Sequence, residues 1–113
     1  EGGFVQGLGW LTTEELVWGA NGQLLTKGAS TYKIPTAADI PEHFNIQLWH
    51  EANPEDNIGG SKAVGEPPFM LAMSVFEALH DAVREALGGH APVRLDAPAT
   101  PERVLMALQA EQS

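Results

Sequence analysis

The stretch PPFMLAMSVFEALHDAVREALGG, residues 67–89, decides how this chain is to be read. Phe69, Ala72, Met73, Phe76, Leu79, Val83, Ala86 and Leu87 recur at three- and four-residue steps, the spacing of one helix face. Glu77, Asp81, Arg84 and Glu85 fall on the opposite face. Pro67 and Pro68 suit the first turn, where a missing N–H would have no intrahelical partner anyway. Gly88-Gly89 supplies the stop. The first two turns are apolar nearly all round, so that end of the helix requires burial on every side.

Beyond this helix, RLDAPATPERVLMALQ reads as an extended segment at 93–95 followed by a second helix. Thr100 is its expected N-cap and Pro101 its first residue, with Val104, Leu105 and Leu108 as the inward stripe. Toward the N-terminus, Phe4, Leu8, Leu11 and Leu16 predict a helix over residues 3–16. Gly3, Gly7 and Gly9 weaken it by ~1 kcal/mol each relative to alanine. In exchange they leave a smooth surface for close approach by another backbone or a cofactor. Asn21-Gly22 marks a hairpin between short strands at 15–18 and 23–27. Residues 30–44 form a loop broken by Pro35 and Pro41. Alternation of Phe44, Ile46 and Leu48 predicts a strand over 44–50, and 51–60 is a polar loop. The expectation is an α+β fold with two to three helices and a few short strands, in a single unit over 1–113.

The composition narrows the function. With 113 residues the chain has room for one modest core and not for two. Six basic against fifteen acidic residues give a net charge of -9, which repels phosphate backbones and argues against a nucleic-acid partner. No apolar run approaches the roughly 18 to 20 residues needed to cross a membrane. With no cysteine there is no thiol nucleophile, disulfide or Cys-ligated cluster here, and a reducing compartment, the cytoplasm, is expected. The chain opens at Glu1 directly into the glycine-rich apolar run EGGFVQGLGW, which reads as a piece cut from a longer polypeptide.

Glu66 is the candidate for chemistry. Pro67 restricts it to an extended conformation at the head of the helix. A carboxylate beside a helix N-terminus is favoured by ~0.3–1 kcal/mol. Gly65 leaves room for a ligand, and Val64, Phe69 and Met70 limit solvent. Such a group can serve as a general base, or as nothing more than a helix-terminal charge, and spacing alone leaves both open. His43, His50, His80 and His90 are too dispersed for a metal site. The Gly7-Leu8-Gly9 motif follows no strand and lacks the full phosphate-binding pattern. Ser30 and Ser61 have no neighbouring base for a hydrolase triad.

Five blocks together carry a resemblance that covers almost the whole chain: EGGFVQGLG (1–9), TTEEL (12–16), STYKIP (30–35), SKAVGEPPF (61–69) and RLDAPATPE (94–102). They occur in the order found in the C-terminal part of the molybdenum-binding subunit of the xanthine dehydrogenase family, and the likeness is greatest to its bacterial form. The resemblance implies hydroxylation of hypoxanthine to xanthine and of xanthine to urate, with oxygen taken from water. It implies that Glu66 is the base that deprotonates the attacking hydroxyl, and that the Val64 and Gly65 backbone lines the cofactor pocket. The cofactor implied is molybdenum–molybdopterin, with iron–sulfur clusters and FAD passing electrons to NAD from other domains. The partners implied are the rest of the molybdenum subunit and the FAD/iron–sulfur subunit. The family's purine clamp and most molybdopterin contacts are expected upstream, so the chain alone is expected to be inactive, to hold no cofactor and to self-associate. Two alternatives stand beside this reading. One is a non-catalytic scaffold with the same fold. The other is a molybdenum hydroxylase acting on aldehydes or another N-heterocycle.

Overall fold

Two glycines and an alanine set the first contact of the fold. A computed structural model describes residues 1–63, 66–90 and 92–110. Among them lie four α-helices: α1 (Gly2–Thr12), α2 (Glu66–Leu71), α3 (Met73–Ala86) and α4 (Pro101–Gln109). Short 3-10 turns occupy Ala37–Asp39 and Ile58–Gly60. Gly7, Leu8 and Gly9 are buried in α1, and Ala72, between α2 and α3, is wholly buried. The smooth glycine surface expected in α1 is occupied by protein backbone. A Cβ placed on Gly7 would lie 2.5 Å from the Phe69 carbonyl oxygen and 2.6 Å from the Ala72 Cβ.

α1 stops at Thr12 rather than at Leu16. The two threonines explain the early end. The Thr12 hydroxyl donates back to the Leu8 carbonyl at 2.7 Å, and the Thr13 hydroxyl donates to the Lys33 carbonyl at 2.8 Å. The Thr13 and Glu14 N–H groups both turn back to the Gly9 carbonyl. The last turn is thereby wrapped, and the chain leaves toward the 30–35 loop.

The helix read over 67–87 is divided at Ala72. Ala72 N–H donates to Phe69 O at 3.2 Å and Val75 N–H donates to Ala72 O at 2.9 Å. These i→i+3 bonds tighten the turn locally, while Ala72 keeps helical dihedrals (φ -62, ψ -14). The run therefore divides where it meets α1. α2 begins at Glu66 itself, so Glu66 is helical and not extended as expected from Pro67, whose effect on the preceding residue is a bias and not a bar.

α3 and α4 follow their sequence signals closely. Val83, Leu95, Ala99 and Ala107 are the buried centre, with Phe76, Leu79, Leu87, Val93, Val104 and Leu108 packed round it. α4 starts with Pro101 at its first turn, and the Thr100 hydroxyl accepts from Arg103 N–H at 3.3 Å. Leu105, assigned to the inward stripe, is exposed, and the small Ala107 takes the buried position instead. Val104, Ala107 and Leu108 share one face of α4, and Leu105 lies roughly 100° round the helix from Val104, off that face.

The strand half of the expectation reduces to one antiparallel bridge, Trp18 to Leu24, closing the Asn21-Gly22 hairpin. Leu25 N–H donates to Val17 O at 2.8 Å, and Gly22 takes the positive φ of 77 that its turn requires. Residues 44–50 and 93–95 pair with no neighbour among the described residues, so no sheet forms there and an α+β fold is not seen. Alternating apolar residues make a strand only when another backbone accepts its hydrogen bonds.

The molecule is open. Its radius of gyration is 18.0 Å, against about 13 Å for a close-packed chain of this length. Leu48 and Trp49 are each 78% exposed and Ile58 is fully exposed. Met70, Leu71 and Met73, at the apolar end of the α2–α3 run, also face outward.

Two outcomes are expected. Val83→Ala removes two buried methyl groups and should cost about 2 kcal/mol, read as a lower urea midpoint at constant slope. The chain by itself should self-associate through its exposed apolar residues. Light scattering across a concentration series tests this, and a constant monomer mass would contradict it.

Candidate functional site

Glu66 opens α2 with its side chain exposed, and no hydrogen bond or ion pair engages it among the described residues. α2 holds it in place. The Phe69 carbonyl rests on Gly7, and the Phe69 ring meets Trp10 edge-on, with centroids 5.0 Å apart at 89°. Pro68 and Phe69 are half-buried, so one side of this short helix is seated on α1.

The chain approaching Glu66 is tied as well. Asn53 and Asn57 each donate a side-chain N–H to the Ser61 carbonyl, at 2.8 and 3.0 Å. The Lys62 ammonium donates to the carbonyls of Trp49 and Glu51. Ala63 then adopts φ 68, a left-handed conformation that costs a non-glycine residue on the order of 1–3 kcal/mol. Strain of that kind persists only where surrounding contacts hold it. Val64 and Gly65, the expected pocket-lining residues, lie outside the described residues.

Four of the five sequence blocks meet at the end of α1. Pro35 of STYKIP packs its ring on Gly9, where an added Cβ would lie 2.5 Å from the ring carbons. Ala99 of RLDAPATPE donates its N–H to Leu11 O at 2.7 Å. Arg103, one residue beyond that block, donates to Glu15 Oε1 at 2.7 Å and to Pro98 O at 3.2 Å. Sequence reasoning missed the Arg103–Glu15 pair. Its partners are 88 positions apart, and no local pattern signals such a contact.

A cavity of about 480 Å³ opens at this junction, lined by Trp10, Glu14, Glu15, Tyr32, Pro98 and Arg103 among others. Glu66 is not among its lining residues. Its charged groups serve to join α1 to α4, since Arg103 is already paired. Glu14 Oε2 is buried there without a hydrogen-bond partner among the described residues, and burial raises the carboxyl pKa above its ordinary value. Asp39 shows the opposite behaviour. It accepts the Thr36 N–H at 2.7 Å and the Thr36 hydroxyl at 2.8 Å, and these bonds lower its pKa.

The four histidines stay apart, and no group of three His, Cys, Asp or Glu side chains among the described residues could hold a metal ion. The Gly7-Leu8-Gly9 surface is filled by Phe69, Ala72 and Pro35, so it offers no cradle. What the residues present do offer is one exposed carboxylate on a braced element.

Glu14 gives a pH test. A raised pKa in the folded chain means that its contribution is fully present below the ordinary value of 4.5 and is lost as pH rises through the folded value. At neutral pH the ionised group is poorly solvated. Glu14→Gln should therefore raise the thermal midpoint at pH 7, and the gain should vanish below that ordinary value.

Comparison with known proteins adds the context that the geometry lacks. A molybdopterin cofactor-binding domain family matches residues 1–41. Over 107 residues the chain is 50% identical to a xanthine dehydrogenase/oxidase from Gallus gallus, covering 92% of this chain and 8% of the relative. It is 48% identical over 118 residues to xanthine dehydrogenase 1 from Arabidopsis thaliana, covering 95% of this chain and 9% of that protein. It is also 42% identical over 112 residues to aldehyde oxidase 1 from Macaca fascicularis, covering 96% of this chain and 8% of that protein. The chain thus spans less than a tenth of the length of these relatives.

Proposed function

This chain belongs to the molybdenum hydroxylase family, and from that membership we propose that it is the C-terminal portion of the molybdenum-binding subunit of a bacterial-type xanthine dehydrogenase. Residues 1–113 act there as one unit, and the α+β character belongs to the whole molybdopterin-binding domain, whose other elements supply partners for the unpaired 44–50 segment. The single observation that supports Glu66 as the general base is its exposed carboxylate at the head of an element seated on α1. A base must reach the proton it takes and must hold that position while the proton moves.

The reaction is hydroxylation of a purine ring carbon beside a nitrogen. Water provides the oxygen, the ring carbon gives up two electrons, and two protons are released. Glu66 accepts the proton of the attacking hydroxyl, which makes the oxygen nucleophilic enough to bond to carbon. Molybdenum–molybdopterin, when bound, supplies the acceptor for the two electrons. The Glu66 side chain must be ionised to accept that proton. Electron transfer onward, through iron–sulfur clusters and FAD to NAD, is assigned to other domains or subunits. The compartment proposed is the cytoplasm, on the absence of cysteine from the sequence; no helix among the described residues is long and apolar enough to cross a membrane.

A second substrate class has a specific observation behind it. The 42% identity to an aldehyde oxidase supports a reading in which Glu66 is the base of the same kind of hydroxylation, with an aldehyde in place of the purine. In the intact enzyme, Glu66→Gln should lower turnover by at least ~10²-fold while molybdenum content is kept. Near-normal turnover by that variant would remove Glu66 from the mechanism. Preference for an aldehyde over xanthine in the unmutated enzyme would keep the base and change the substrate. Normal molybdenum-independent assembly without turnover on either substrate would favour a scaffold.

A further inference from the structure

We propose that Gly7 is a positioning residue for Glu66, an inference that rests on reading Glu66 as the base. The argument begins with what touches α2. A Cβ on Gly7 would lie 2.5 Å from the Phe69 carbonyl oxygen and 2.6 Å from the Ala72 Cβ. The first of these is backbone. No side-chain rotation can relieve that contact, so a methyl group on Gly7 must move α2 itself.

Gly7 differs in this from its neighbours in α1. A Cβ on Gly2 meets nothing within 4 Å, and one on Gly9 meets the Pro35 ring, which belongs to the 30–35 loop. Gly7 is the one of these three that bears on the helix carrying Glu66. Phe69 lies three residues after Glu66, less than one turn, in a helix of 6 residues. A shift at Phe69 is therefore delivered to Glu66 with little loss. Trp10, one turn further along α1, makes the second seat through its edge-on contact with the Phe69 ring. Met70 and Leu71 on the other side of α2 are exposed, so the described residues offer no third support. Closeness here is a property of backbones: glycine lets α1 approach α2 until carbonyl and helix touch.

The test uses the intact molybdenum enzyme that carries this segment, with xanthine as the probe. Three quantities are read: the limiting rate of enzyme reduction per bound molybdenum, the substrate dissociation constant, and molybdenum content. Gly7→Ala should lower the limiting rate by ~10²-fold, the cost of displacing a reacting group by about 1 Å. Molybdenum content and substrate affinity should stay near those of the unmutated enzyme. Gly9→Ala, which presses on Pro35 instead, should lower the thermal midpoint but leave the rate per molybdenum unchanged.

Equal loss of rate in both variants, or loss in proportion to molybdenum content, would mean that Gly7 only stabilises the fold, and would overturn the proposal. Glu66→Gln separates the two claims. If that variant is reduced at the native rate, the base assignment fails. If it is inactive while Gly7→Ala is native per molybdenum, the base stands and the positioning role fails. Should Gly7→Ala not accumulate as loaded enzyme, Trp10→Leu decides: a fall of about tenfold in the limiting rate is expected for the smaller loss of seating, and a native rate overturns the proposal.

Discussion

The approach of α1 to α2 at Gly7 is the contact on which the rest depends. With hydrogen in place of a side chain, the Phe69 carbonyl and the Ala72 methyl can settle on the helix surface. Ala72 is consequently buried, and the helical run divides there into α2 and α3. α3 carries Val83 against Leu95, Ala99 and Ala107 in the buried cluster. A larger residue at position 7 would separate the helices and unseat all of these.

The other end of α1 is held by polar groups. The Ala99 N–H meets the Leu11 carbonyl, Thr13 reaches Lys33, and Arg103 bridges Glu15 and the Pro98 carbonyl. The Arg103–Glu15 pair is partly exposed, at 39% and 33% for the two side chains, and a pair of that exposure contributes about 0–1 kcal/mol. Its role is alignment more than strength. Together with the Thr100 cap it determines where α4 begins relative to α1. The glycine contact and the polar clasp thus divide α1 between them: one half seats the helix of Glu66, the other joins the last helix.

Much of this was legible from residue patterns. The period of Phe76, Leu79, Val83 and Leu87 marked the inward face of α3, and Thr100-Pro101 marked the start of α4. Asn21-Gly22 marked the turn that closes at the Trp18–Leu24 bridge. These are signals that act within one or two turns. The expected strand at 44–50 depended on a neighbour, and a pattern of alternating residues names no neighbour. Leu105 was misplaced for a related reason: helical spacing allows more than one stripe, and only the packed neighbours select the one through Val104, Ala107 and Leu108. As for the site, Glu66 stood out by its place before Pro67-Pro68, yet spacing could not separate a base from a terminal charge.

The sequence by itself determined the helix periods, the caps and turns, the acidic balance and the five blocks that carry the family likeness, because each is written in adjacent or regularly spaced residues. Tertiary structure alone decided which backbone fills the glycine surface, where the long helix divides, and that Arg103 meets Glu15 across 88 positions. Those outcomes depend on surfaces brought together from distant parts of the chain. Glycine shows the division plainly. Its spacing announced that something would come close at Gly7, and only the packed helices revealed that it was the carbonyl three residues beyond Glu66.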